Sequence, residues 1–254
     1  MKLENRIRKF LDESFKGYYL EKYILKDGKR HPVAIICPGG GYRRVCSFVE
    51  GLPFARKLNA MGYSAVVVHY RCGKKNPYPV PQEDLARAIR YVMDRKDSWN
   101  LDMENYSLWG ASAGGHLAAS FGTDAMGYKK YNLPKPGTLI LTDPVVTMGD
   151  KTHMGSRSHL LGENPLPRQI EFTSIEKQVT SDYPPTFLWC GLEDRSVDPE
   201  NSRMLAAALE KCGIPHRFVP IAGVGHGVGL GEGLPCEGWL EEAVRFWESQ
   251  TRWV

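Results

Sequence analysis

A chain of 254 residues with 42% hydrophobic and 24% charged residues has the size and balance of one α/β domain with a full core, and leaves no room for two large ones. Its net charge of +4 is spread thinly. The densest clusters, Arg6 to Lys9 and Lys129-Lys130, are too short for a nucleic-acid tract or a polybasic membrane patch. No apolar run is long enough to span a bilayer, and Met1 to Lys9 lacks the apolar core of a secretory signal. The cysteines (Cys37, Cys46, Cys72, Cys190, Cys212 and Cys236) form no C-x-x-C pair, so no zinc or dithiol site is indicated. A reduced, cytoplasmic protein with no nucleic-acid or membrane partner is the expectation.

Leu3, Ile7, Phe10, Leu11 and Phe15 share one face of a helix over residues 3 to 15. Tyr18 to Leu25 reads as an edge strand, with Asp27-Gly28 as a turn signal. Val33 to Cys37 is a buried strand that runs into Pro38-Gly39-Gly40-Gly41-Tyr42. A helix over residues 52 to 61 is closed by Gly62, and Ser64 to Tyr70 is the next strand. After a rigid Asn76 to Pro81 loop, Gln82 to Lys96 reads as a helix with acids first and bases last, as the macrodipole favours. Tyr106 to Trp109 is a short buried strand; Ala113, Leu117, Ala118 and Ala119 open a tightly packed helix.

Further strands are expected at Thr138 to Thr142, Thr186 to Cys190 and His216 to Ile221. Helices are expected at Pro199 to Lys211 and Trp239 to Trp247. Strands alternating with helices predict a mostly parallel central sheet with helices on both faces. The stretch from 143 to 184 is irregular, with short helices near Ser158 to Leu161 and Arg168 to Lys177. It is too small for a second domain, so residues 1 to 254 read as one domain with a small lid or pocket-wall insertion.

Between the Tyr106 strand and its helix lies Gly110-Ala111-Ser112-Ala113-Gly114, a G-x-S-x-G nucleophile elbow. A serine on a sharp strand-to-helix turn needs neighbours without Cβ atoms two positions away on either side. Its hydroxyl is a weak nucleophile until a base takes its proton, and the imidazolium so formed needs a carboxylate to orient it. In this architecture the order along the chain is serine, acid, histidine. His226 follows the last strand and is flanked by Gly225 and Gly227, a poor setting for a core residue. Three acids compete after the Thr186 strand. Asp198 precedes Pro199 and suits a helix cap, Glu193 suits solvent, and Asp194 sits directly after the strand, where a triad acid belongs.

The other histidines have duller readings: His116 as packing, and His31, His153, His159 and His216 as surface or loop residues. His69, at a strand end, is a secondary pocket candidate. Acyl transfer also needs two N–H donors for the oxyanion. They are expected from Ala113, after the nucleophile, and from Gly40 and Gly41 of the glycine loop.

Together, Pro38-Gly39-Gly40-Gly41-Tyr42, the Ser112 elbow, the loop from Leu192 to Ser202 and Gly225-His226-Gly227 resemble the α/β-hydrolase superfamily. The chain is most similar in kind to its small esterases of the acetylxylan-esterase-like type, over about Tyr18 to Trp247. The resemblance implies the α/β-hydrolase fold, and a D-x-x-V triad acid falls on Asp194 with Val197. Pro38 stands where lipases of the HGGG type carry histidine. The implied activity is a serine carboxylesterase for short acyl esters, acetylated sugars among them, that needs no metal or organic cofactor. Tyr42, Tyr70, Tyr78 and Trp189 are candidates to stack on a sugar ring. A peptidase or amidase of the same superfamily is the alternative, and a non-catalytic receptor of this fold a third reading.

Overall fold

In the computed structural model, residues 18 to 251 are described; the helix expected over residues 3 to 15 lies outside them. Mainly apolar strands set the middle of the molecule. β2 (His31–Cys37), β3 (Ser64–His69), β4 (Leu101–Ala111), β5 (Thr138–Thr142) and β6 (Thr186–Gly191) pair in parallel, and β5 and β6 are buried at every position. Such runs arise when both faces of a sheet are covered by helices. β1 (Tyr19–Tyr23) pairs antiparallel with β3 at one edge, and the half-exposed β7 (His216–Ile221) pairs parallel with β6 at the other. Among the described residues these strands form one sheet, in the order β1-β3-β2-β4-β5-β6-β7.

Helices cover both faces. On one, α2 (Leu52–Ala60) and α8 (Trp239–Gln250) enclose a core with Phe54, Leu58, Trp109, Trp189, Trp239 and Trp247. The apolar stripe of α8, Trp239, Leu240, Ala243, Val244 and Trp247, has the spacing that a helix needs to bury one side. On the other face, α3 (Val80–Met93), α4 (Ser112–Phe121) and α7 (Glu200–Lys211) bury Leu85, Ile89, Leu117, Phe121 and Leu205. A four-residue helix, α1 (Ser47–Glu50), precedes α2. No described helix is long and apolar enough to cross a membrane.

Several boundaries differ from expectation, and two of the differences have a plain local cause. β4 begins at Leu101, because buried Leu101 and Met103 alternate with less buried Asp102 and Glu104, a half-buried strand pattern. α3 begins at Val80, since Pro81 fits the first turn of a helix, where no N–H is required. The stretch after β5 is also not uniformly a lid. Asp143 to Met148 is buried, while the mainly exposed part carries α5 (Met154–Leu161) and α6 (Pro167–Thr173) before a 3-10 turn at Ile175–Lys177.

Candidate active site

Ser112 sits where β4 turns into α4, with φ at 53°, in the left-handed region that costs a side-chain-bearing residue strain. The turn is possible because its neighbours are bare. A Cβ at Gly110 would lie 2.3 Å from the Gly114 carbonyl oxygen, and one at Gly114 would lie 2.0 Å from the Cys37 carbonyl oxygen at the end of β2. The same close crossing brings the Pro38 to Gly41 loop beside the serine.

The ring of His226 bridges Ser112 and Asp194. Its Nε2 lies 2.9 Å from the Ser112 Oγ, and its Nδ1 lies 2.6 Å from Asp194 Oδ2. Asp194 is buried, and its second oxygen accepts the N–H groups of Ser196 at 2.8 Å and Val197 at 2.9 Å, which fixes the carboxylate. Burial pulls the His226 pKa down, but the Asp194 hydrogen bond and charge, with Asp143 and Glu50 nearby, leave it raised above the ordinary histidine value. Both ring nitrogens are engaged, one facing the hydroxyl and the other the carboxylate. Asp143 also lies close, within a group whose side-chain ligand atoms with Asp194 and His226 fall within 4.8 Å of one another, while the ring itself is hydrogen-bonded to Asp194 and Ser112.

The competing acids do other work. Asp198 accepts the Glu200 N–H at 3.0 Å at the start of α7 and pairs with Lys151 at 3.2 Å. Glu193 accepts the Val224 N–H at 3.0 Å, tying the acid loop to the histidine loop. Asp143 has φ at 40° and accepts the Gly191 N–H at 3.0 Å; burial lifts its pKa to about 7, against opposing hydrogen bonds and the nearby His226.

Gly40 and Gly41 line a cavity of about 380 Å³ together with Ser112, His226, Glu50 and His153. Among the described residues neither glycine N–H donates to a protein acceptor. Ala113 is the second residue of α4, and helix N–H groups at that position have no intrahelical partner. The three expected donors thus lie in segments that meet at Ser112.

The aromatic candidates are corrected by the structure. Tyr42 is 1% exposed, and its hydroxyl lies 2.8 Å from His116 Nδ1. Burial lowers His116 to about 4, so its neutral ring bridges Tyr42 and the Thr173 carbonyl as a packing residue. Tyr70 is buried and donates to the Pro38 carbonyl, and Trp189 lies in the core beneath α8. Strand-end aromatics filled the core here because their large apolar area gains most from burial. Tyr78 is half-buried against Phe172, in a separate hollow with Leu161 and Arg168. His69 stacks on Tyr19 at the β1 edge of the sheet, away from the cavity lining.

Sequence reasoning passed over His153 and Glu50. His153 caps α5 through Ser156 and stands over Gly41, where a Cβ would come within 3.5 Å of its ring. Its only sequence signal is its place before a helix. Glu50 has none, because α1 brings it to the cavity through the tertiary fold.

The family model described as BD-FAE matches residues 20 to 133, a span with the glycine loop and Ser112 but neither Asp194 nor His226. A crystal structure of an acetyl ester-xyloside bifunctional hydrolase from Caldicellulosiruptor lactoaceticus superposes with a TM-score of 0.85 at 34% identity, covering 98% of this chain and 93% of that one. Endo-1,4-beta-xylanase B of Butyrivibrio fibrisolvens is 32% identical over 85% of this chain. An acetylxylan esterase of Xylanibacter ruminicola is 29% identical over 76% of it. The chain spans 35% of the first of these two curated relatives and 40% of the second. An elbow serine, an acid and a histidine in that chain order on a mostly parallel sheet, with near full-length likeness to a solved hydrolase, place the chain in a family: it belongs to the α/β-hydrolase superfamily, among its small acetylxylan-esterase-like esterases.

Proposed function

We propose that the protein is a serine carboxylesterase that removes short acyl groups, with acetylated sugars or xylo-oligosaccharides as its substrate class. The observation that carries this reading is the hydrogen-bonded line Ser112, His226, Asp194 beside unpaired glycine N–H groups. Ser112 Oγ attacks the ester carbonyl while His226 Nε2 takes its proton, and Asp194 holds the imidazolium at Nδ1. The carbonyl oxygen gains the negative charge and meets the N–H groups of Gly40, Gly41 and Ala113. Collapse expels the alcohol with the proton from His226. A water activated by the same nitrogen then releases the acid and restores Ser112.

The lining of the cavity favours a short acyl group. It consists of glycines, Arg43, Arg44, Cys46, Glu50, Ser112, Ser196 and histidines, without one leucine, isoleucine, valine or phenylalanine. Each buried methylene is worth about 0.8 kcal/mol only where apolar surface receives it. A wall of glycines, histidines and charged residues without large aliphatic side chains offers a long acyl chain little such gain and leaves polar groups for a hydroxyl-rich leaving group. The xylan-related names of the relatives point to the same substrate class. A cytoplasmic enzyme of this kind would act on imported oligosaccharides and not on intact polymer.

Hydrolysis of p-nitrophenyl esters from acetyl to octanoyl, beside peracetylated xylose and an acyl amide, tests the proposal. The expected result is a steep fall beyond butyryl, acetate release from the sugar and loss of both in Ser112→Ala. Equal rates on octanoyl would exclude the short-acyl reading. Turnover of the amide alone would make the protein a peptidase or amidase. Failure of a fluorophosphonate to label Ser112 in folded protein would make it a non-catalytic receptor.

A further inference from the structure

Successive peptide units of the Pro38 to Gly41 loop are held one at a time. The Pro38 carbonyl accepts the Tyr70 hydroxyl at 2.7 Å, and the N–H of the same peptide unit, on Gly39, donates to Glu50 Oε2 at 2.8 Å. The Gly39 carbonyl accepts the Cys46 N–H at 2.8 Å, and the Gly40 carbonyl accepts those of Arg43 and Arg44 at 3.1 and 3.3 Å. In a trans peptide the C=O and N–H bonds point in opposite directions. Anchoring the carbonyls of Gly39 and Gly40 in this turn therefore sends the N–H groups of Gly40 and Gly41 the other way.

Only one of these anchors is an ionisable acid, and it is an expensive one. Glu50 is 7% exposed, and among the described residues no lysine or arginine pairs with it. Burial pushes its carboxyl above the ordinary range, although the Gly39 hydrogen bond and the nearby His226 pull it back. A buried acid without a cation is costly, so an apolar residue of similar volume would serve simple packing better. Its surroundings are those of the reaction. A Cβ at Gly39 would lie 2.6 Å from Glu50 Oε2 and 2.7 Å from the Ser112 Cβ, so the loop at Gly39 is packed between the carboxylate and the nucleophile.

We infer that Glu50 is a positioning residue for the hydrolysis: by holding the Gly39 N–H it sets the loop so that the Gly40 and Gly41 N–H groups meet the developing oxyanion. This rests on the serine-esterase reading above. The role belongs to the acceptor atom, so glutamine, which keeps a carbonyl oxygen, can fill it and leucine cannot.

The test is steady-state hydrolysis of p-nitrophenyl acetate by wild type, Glu50→Gln and Glu50→Leu, with phenylboronic acid as a tetrahedral probe of Ser112. Near-UV circular dichroism establishes that each variant is folded, and Glu50→Ala replaces the leucine variant if that one does not fold. Expected is a fall in kcat of about 10- to 100-fold in Glu50→Leu, with boronate affinity falling by the same factor. KM should move less than about threefold, and Glu50→Gln should stay within about threefold of wild type. The inference is overturned if Glu50→Leu keeps its kcat, if only KM changes, or if Glu50→Gln falls as far as Glu50→Leu. Failure of the esterase reading looks different, because wild type itself would then neither turn over the ester nor bind the boronate.

Discussion

The acid that orients His226 is decided by which oxygen faces its Nδ1, and two neighbouring aspartates separate cleanly on that point. Asp194 lies 2.6 Å from that nitrogen, whereas Asp198 is spent on the Glu200 N–H and Lys151. Asp194→Asn is expected to lower kcat by about 10³- to 10⁴-fold, because the amide can no longer hold the ring in its productive tautomer as a carboxylate does. Asp198→Asn should cost less than about threefold, and parallel kinetics on one ester measure both; the opposite order would move the acid to Asp198. Ser112, Asp194 and His226 could be read from the chain because a strained turn, a strand-end loop and a glycine-flanked histidine each leave a local mark. Tyr42, Tyr70 and Trp189 misled because an aromatic residue at a strand end carries the same letters whether it faces a ligand or the core. Glu50 leaves no mark and His153 only its place before a helix, since their closeness to Ser112 exists only after α1 and α5 have docked.

Strands and helices were legible for a different reason. Uninterrupted apolar runs at β2, β5 and β6 and the stripe of α8 record burial in their spacing, which is a local property. The insertion after β5 was less so, since Asp143 to Met148 enters the core without periodicity. How two loops approach each other is also invisible in one dimension. The end of β6 comes so near the histidine loop that a Cβ at Gly191 would lie 2.2 Å from the Val224 carbonyl oxygen and 2.9 Å from that of Gly225. Gly191→Ala must push His226 off its line to Ser112. The expected loss is about 10²-fold in kcat, the scale of a displacement near 1 Å at a reacting group. Kinetics alongside a thermal melt check it; full activity would show that the loop gives way elsewhere.

At the scale of the whole molecule, Asp143 couples the site to stability. Its pKa of about 7 in the fold stands against about 3.9 for an aspartate in an unfolded chain. A group raised in this way contributes stability that is fully present below about pH 4 and is lost as pH rises through about 7. Asp143→Asn does not titrate. Whatever constant offset the exchange brings, the melting temperature of the variant relative to wild type should therefore climb from pH 4 to 7 and level off above. A flat difference across that range would refute the assignment.

The strand order carries one more consequence. In the sheet, β1 to β4 lie on one side of the β4–β5 pairing, and β5, β6 and β7 lie on the other. The hydroxyl and the glycine loop thus come from the first half of the chain, the acid and the base from the second, and the 2.9 Å between Ser112 and His226 spans a seam. α8 acts as its clasp. It belongs to the second half, yet Trp247 Nε1 donates to the Asn105 carbonyl at 2.9 Å and Lys57 pairs with Glu241 at 2.6 Å. A slip of a fraction of an ångström along that seam parts donor from acceptor long before the strands separate, so this enzyme would fall silent while still folded.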